Sequence, residues 1–392
     1  MLDWLIIGGG VHGTHLALYL TQAKGVAHHR LRVLDPHRAP LARWNRLTAN
    51  TGMAFLRSPG VHNLGLTPDA LDKFAVTDHG RFWAAYRDPY HRPALDLFGA
   101  HNNHLIREHR LQELWIEGSA HQLTARANGW AVETGAGQIQ ARRVLLAIGR
   151  TQLQWPAWAL DLAGRAPIQH IFEPAFDHAT QPAWQHAVVI GGGITAAQLA
   201  CTLAEQARLT HGGRITLLVR HPLRTAHFDS DPCWNGPKCL TKFHHTTCYT
   251  QRRAQIKACR YRGSLPHDVA THLHKLVEQN LICLCQAETT SAQLDPQGSV
   301  RLQLADGAQL TSDCVLLATG FSAARPGGSW LDRPIAAYGL ACAECGYPIV
   351  DKNLCWYRGL HVTGPLAELE LGTTAPNIRG ARLATERIDG VM

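Results

Sequence analysis

The sequence predicts an α/β chain built as two Rossmann-like dinucleotide-binding domains, each with a small antiparallel β insertion. Three observations carry this. A glycine fingerprint follows an apolar run at the start of the chain, a second one begins at Gly191, and each half closes on a strand ending in glycine, at Gly149 and Gly320. One plan used twice implies two nucleotides facing each other.

The first element is Trp4-Leu-Ile-Ile7 running into Gly8, Gly10 and Gly13. This is G-x-G-x-x-G in the strand–turn–helix setting the motif requires. The first glycine makes the tight turn, the second lets a pyrophosphate approach, and the third lets helix and strand pack. The helix N-terminus then faces the phosphates with free N–H groups. Leu31–Asp35 reads as the next strand, and its closing carboxylate suits the ribose hydroxyls of an adenosine. Residues 118–127, the pair Asn128-Gly129 and residues 130–134 read as strand, tight turn and strand.

The second half repeats this. His186–Ile190 leads into Gly191, Gly193 and Ala196, the G-x-G-x-x-A variant, with Thr195 in the same turn. The following strand, Arg214–Arg220, ends in Arg220 rather than an acid, and Arg224 follows. A guanidinium there suits a 2′-phosphate, so NADPH is expected over NADH. A turn region at 294–297, strands at 300–304 and 308–310, and a last strand from Cys314 complete the half. The expected division is 1–160 with 312–392 as the first domain and 161–311 as the second. Residues 222–265 form a long connection of the kind that walls a substrate cleft or runs quietly over the surface.

Composition sets the outer bounds. At 392 residues, two domains are the natural expectation. Charged residues are 17% and apolar residues 45%, an ordinary globular balance. No apolar run is long enough to span a membrane. A strand at the extreme N-terminus leaves no room for a signal peptide, so a cytoplasmic location is expected. The net charge of +8 is scattered, which fits attraction of anionic cofactors better than nucleic-acid binding. Nothing in the sequence settles self-association.

The second-half ending Asp313-Cys-Val-Leu-Leu317-Ala-Thr-Gly320-Phe321, followed after four residues by Pro326, resembles the flavin-dependent N-hydroxylating monooxygenases of the ornithine/lysine type. Phe321 stands where that family has Tyr. The whole chain resembles flavoproteins that hold FAD in a first domain and NADPH in a second. The family's Met-Gln-x-Ser-Phe-Leu-Lys segment is similar to Thr51-Gly52-Met53-Ala-Phe55-Leu56-Arg57, with Gly52 at the Gln position. The resemblance implies that Met53 lies along the flavin and that Arg57 is the basic residue near nicotinamide and substrate. His62 and Asn63 follow as candidates for contact with flavin or substrate. The run from His361 resembles the family's return to the FAD domain. It implies flavin contacts from Gly364, Gly372, Thr373 and Thr374, ahead of a helix from about Pro376 to Ile388.

The activity implied is NADPH reduction of FAD, addition of O2 at flavin C4a, and oxygenation of a nucleophilic nitrogen or sulfur on a small molecule. Two alternatives stay open: an NAD(P)H-dependent flavoprotein reductase without oxygenation, and a nucleotide-binding partner protein without turnover. Arg57 and the basic residues of 252–262 suggest an anionic substrate.

The remaining candidates are cysteines and histidines. Eleven cysteines are expected mostly as reduced thiols. Cys233 with Cys239 and Cys342 with Cys345 form near-pairs, and a zinc site or a redox disulfide is weighed against packed thiols, the default; no metal is assigned. None of the cysteines precedes Cys201, which counts against a flavin-adjacent redox pair in the first domain. His12 and His15 flank the first fingerprint turn; contact of one with phosphate is weighed against solvent-facing helix positions, the default.

Overall fold

The computed structural model describes residues 1–392 except 166, 182, 211, 389, 391 and 392. Two sheets organise it, the first parallel at its centre with antiparallel strands at its edge and the second parallel throughout. The first runs in the order Cys355–Tyr357, Leu360–Val362, Gly137–Leu146, Leu2–Ile7, Leu31–Asp35, Trp115–Glu117. Its centre is Trp4–Ile7, at most 5% exposed, paired in parallel with Leu31–Leu34 on one side and Arg143–Leu146 on the other. Such a strand is apolar on both faces because both are covered. The helix Val11–Leu18 is likewise buried along its length and packs on the C-terminal helix Ile378–Ile388.

The second sheet is Ile282–Gln286, Arg214–Val219, His186–Ile190, Cys314–Leu317 and Ile168–His170, all parallel. This moves the expected boundary at 311. Cys314–Leu317 is buried on every residue and lies between two strands of the second sheet, so that unit runs at least to Leu317. The two connections between the units lie side by side. The Gln154 N–H donates to the Gly320 carbonyl at 2.9 Å, and the Ser322 N–H to that of Gln152 at 2.8 Å.

Both antiparallel insertions are present, with small shifts. In the first, Ala120–Arg126 pairs with Gly129–Thr134, so the turn is Ala127-Asn128 and Gly129 belongs to the strand. Gly129 has φ +137°, and a Cβ there would meet the Ala141 carbonyl at 2.2 Å, so glycine is needed for close approach rather than for the turn. The second insertion has three strands; Thr289–Leu294 precedes the two that were expected.

Residues 222–265 fold into a short strand pair and two helices, Pro237–His245 and Tyr249–Cys259. Their small apolar core of Trp234, Phe243 and Ile256 includes Tyr347 and Leu369 from the C-terminal segment. Residues 55–94 form a second excursion, followed by the helix Leu95–Glu108.

Candidate functional site

A cleft of about 900 Å³ opens at the C-terminal edge of the first sheet. Its walls are the first fingerprint, Asp35, the segment 147–151, Phe228–Ser230 and Asn235 of the excursion, Phe321, and the segment from Gly364 to Arg379. Open α/β sheets bind ligands at this edge.

Each fingerprint glycine has its own reason. Gly8 has φ +110°, and a Cβ would sit 2.5 Å from the Ala147 carbonyl. A Cβ on Gly13 would lie 1.8 Å from the Gly8 carbonyl, where helix crosses strand. A Cβ on Gly10 meets nothing within 4 Å, so that position faces the open cleft. Gly10 caps the helix Val11–Leu18, whose first N–H groups have no intrahelical partner. This cradle fits a pyrophosphate. Asp35 closes the turn itself: its carboxylate accepts the Gly9 N–H at 2.6 Å and the His37 N–H at 2.9 Å. It still lines the cleft.

The three residues expected near flavin and substrate, Arg57, His62 and Asn63, separate. Arg57 lines the cleft, but its guanidinium is committed to protein. It donates to the carbonyls of Ala226, His227 and Phe228 and to the Ser264 hydroxyl, at 2.6–2.9 Å. Burial lowers its pKa, and Asp229 partly offsets this. Arg57 therefore fastens the excursion across the cleft. His62 faces the cleft half-buried; burial, then Arg379 and Arg382, push its pKa down to about 4. Asn63 is fully buried away from the cleft. Its amide donates to the Gly60 and Pro68 carbonyls and its oxygen accepts the Gly65 N–H, so it organises a loop and has no reach to a ligand.

Met53 lines the cleft. Beside it Gly52 has φ +64°, and a Cβ would lie 1.8 Å from Thr202 Oγ1 on the helix Ile194–Thr210. No glutamine fits there, which is the physical reason for the departure from the family segment.

At the C-terminal end, Gly364 and Thr374 line the cleft, whereas Gly372 and Thr373 do not. Gly372 packs against the Trp234 ring, and Thr373 donates to Ser230 at 3.1 Å. Both serve the contact with the excursion. Arg252, Arg253 and Arg260 of the basic run 252–262 are committed there too, while Lys257 and Arg262 are exposed. Glu368, fully buried, pairs with Arg150, Arg253 and Arg260 at 2.9, 2.7 and 2.6 Å. Burial would raise the Glu368 pKa, but Arg260 and Arg150 outweigh it and hold the carboxyl below its ordinary value. Arg252 bonds the Leu369 carbonyl and Glu370. These side chains are therefore not free to recognise an anionic substrate.

His12 and His15 are buried, not solvent-facing. His12 bridges Thr363 Oγ1 and the Asn377 carbonyl, and His15 bonds the Leu64 carbonyl. Burial pushes both pKa values down to about 4. Nine of the eleven cysteines are free thiols, Cys342 and Cys345 among them, and Cys233 and Cys239 alone form a disulfide.

The second fingerprint lies outside this cleft. Gly191 has φ +154° and closes on the Ala318 carbonyl; Ala196 is buried beneath it, and Thr195 is half-buried in the first helical turn. Gly193 faces Gly263 of the excursion, 3.7 Å from where its Cβ would be. Arg220 is exposed on the rim beside Glu288 at 3.5 Å. Gly320, at φ +79°, accepts from Gln154. Phe321 enters the cleft, stacked on Phe172 at 5.0 Å with Arg43 over its ring. Sequence reasoning missed Arg43, Trp44, Trp330 and Asn377 on the cleft wall, whereas Asn235 belongs to the stretch 222–265 expected there. Only Trp44 and Trp330, large aromatics beside glycine- or arginine-rich turns, carried a signal that could have been read.

The model of the pyridine nucleotide-disulphide oxidoreductases matches residues 2–375. The chain belongs to that family. This oxidoreductase has the two-dinucleotide-domain fold of several solved flavoproteins. DfoA, the cadaverine monooxygenase of Erwinia amylovora, superposes with a TM-score of 0.76 at 15% identity, over 100% of this chain and 95% of that one. The ornithine hydroxylase PvdA of Pseudomonas aeruginosa gives 0.76 at 15%, over 100% and 98%. L-lysine 6-monooxygenase of Pseudomonas syringae gives 0.74 at 16%, over 100% and 99%. Disulfide reductases match as well, with TM-scores of up to 0.59. At such identities the likeness is one of fold. No curated protein sequence matches the oxidoreductase. Among its described residues no helix is long and apolar enough to cross a membrane.

Proposed function

We propose that the chain is an FAD-containing, NADPH-dependent monooxygenase that adds oxygen to a nucleophilic nitrogen or sulfur of a small molecule. The observation that carries this is the cleft: it starts at a complete pyrophosphate cradle and ends against a wall supplied by the second unit. Three solved proteins of similar fold are named as monooxygenases or hydroxylases of cadaverine, ornithine and lysine, which favours an amine nitrogen.

In this reading Gly8, Gly10, Gly13 and Asp35 hold the adenosine diphosphate part of FAD, with Met53, Gly364 and Thr374 nearer its ring. Gly191, Gly193, Thr195, Ala196 and Arg220 hold NADPH. Bound flavin supplies two-electron redox chemistry and the activation of O2. The chain's own part is positioning. Arg57 and Glu368 hold the excursion over the cleft, which excludes water. His62, neutral above about pH 4, can accept a proton from a bound substrate. A reductase without oxygenation is the second reading. Gly52 favours it, because no side chain stands where the resemblance places the flavin-contacting Gln.

The test is a visible spectrum of purified protein, then anaerobic NADPH, then 18O2 with cadaverine, ornithine or lysine. A yellow chromophore bleached by NADPH and a product carrying one heavy oxygen are expected. Gly10→Ala should fold normally yet bind FAD more weakly. No bound flavin and no uptake of added FAD sinks both readings. Bleaching with no labelled product from any of the three amines favours the reductase.

A further inference from the structure

The excursion before the helix Leu95–Glu108 carries a surface that the cleft does not use. Residues 76–79, 81–85 and 87–91 are all exposed. Val76 is 82% exposed and Phe82 81%, and Trp83 and Tyr90 are also exposed. Isolated exposed apolar residues are ordinary; a run of this kind is not. Its composition is specific too. Its exposed residues from 76 to 91 include Phe82, Trp83 and Tyr90 with Arg81 and Arg87, and neither a lysine nor a glutamate. Protein–protein interface cores have that bias.

The surface is rigid before any partner arrives. The Trp83 N–H donates to the Gly80 carbonyl, and the Arg81 N–H to that of Thr77. A Cβ on Gly80 would lie 1.9 Å from the Phe74 carbonyl, so the loop is packed down on the helix beneath it. Phe82 and Trp83 meet edge to face at 4.8 Å, Arg87 covers Phe55 at 4.6 Å, and Tyr86 stacks on His91 at 3.7 Å. These contacts reduce the side-chain freedom that association would otherwise remove.

Charge selects the occupant. Within 76–91 the two acids, Asp78 and Asp88, balance the two arginines, Arg81 and Arg87, while the whole chain carries +8. A nucleic acid or an anionic membrane would be drawn to a basic surface, and this is the neutral one. Two positively charged copies can meet face to face only where the field is locally cancelled, and a two-fold contact needs a patch that complements itself. Asp78 and Arg81, paired at 3.2 Å, offer both signs at its edge. We infer that residues 76–91 form a two-fold interface with a second copy of this chain, centred on Phe82 and Trp83. The same excursion carries Arg57 and Arg92, so the interface backs the loop that fastens the cleft wall.

Light scattering on the flavin-loaded full chain tests this, comparing wild type with Phe82→Glu/Trp83→Ser. Wild type is expected at twice the 43.1 kDa of one chain, and the variant at a single-chain mass with an unchanged thermal midpoint and flavin content. Hydrogen exchange of wild type at high and low concentration gives an independent reading should the variant fail to fold; protection of 76–91 should rise with concentration. A wild type that stays monomeric at tens of micromolar, a variant of unchanged mass, or concentration-independent exchange at 76–91 overturns the inference. So does a monomeric wild type that sediments with phosphatidylcholine/phosphatidylserine vesicles.

Discussion

His12 and His15 sit one helical turn apart on the helix that the first fingerprint begins, and both are held neutral by burial. Their pKa values fall from 6.5 unfolded to about 4 folded. Between those values the unfolded chain binds more protons than the folded one. Their contribution is therefore complete above pH 6.5 and disappears as pH falls toward 4. Each histidine can account for up to about 3 kcal/mol. The thermal midpoint should drop steeply between pH 7 and pH 5, and His15→Gln should make the drop shallower. A midpoint that is flat over that range would show that neither ring is held neutral. The sequence placed both residues beside the turn but on the wrong face. The Val11–Leu18 helix is buried all round, and a short helix carries no periodic contrast from which to read a solvent side.

At the scale of elements, the excursion 222–265 is joined to the C-terminal segment through one carboxylate. Glu368 has three guanidiniums on two oxygens, and no part of it reaches water. Glu368→Gln keeps the shape and leaves three buried cations without a counter-charge. It should cost about 3–5 kcal/mol and expose the helices 237–259 to protease before the rest of the chain. Equal resistance in wild type and variant would mean the excursion is held by its apolar core alone. The contrast with the fingerprints explains what was legible. Gly8, Gly10 and Gly13 lie within six residues of one another, so their spacing alone announces them, even though Gly8 closes on Ala147 far along the chain. Arg57 bonds carbonyls some 170 positions away, and Glu368 meets Arg150 across 218. No local pattern encodes such pairs, so the basic run of 252–262 reads as a substrate surface, whereas its Arg252, Arg253 and Arg260 face the inside of a joint. The strand Thr289–Leu294 was missed because its polar, largely exposed residues alternate weakly.

Across the whole molecule, the two units are held at several separate points. Arg46 donates to the Glu173 carbonyl and Asn50 to that of Phe176, both at 2.7 Å; Arg92 pairs with Asp268 at 2.7 Å; and Gly52 lies against Thr202. The last contact sets the spacing most directly, because it has no slack. In Gly52→Ala the new methyl would lie 1.8 Å from Thr202 Oγ1 in a backbone conformation that disfavours it, so the helix Ile194–Thr210 must move away. The cost should be about 2–4 kcal/mol, part from the backbone and part from the clash. Thr202→Ala removes the oxygen and eases the closest approach from 1.8 to 2.9 Å, still tight, so the double variant should regain part of the clash cost. A double-mutant cycle by urea unfolding should then show coupling of at least about 1 kcal/mol. Because hydride transfer tolerates little displacement, anaerobic bleaching of the flavin by NADPH should slow in Gly52→Ala by up to about 100-fold and recover in the double variant. Strict additivity in both measurements would mean that the spacing of the units is set elsewhere, with the Arg92–Asp268 pair as the next contact to break.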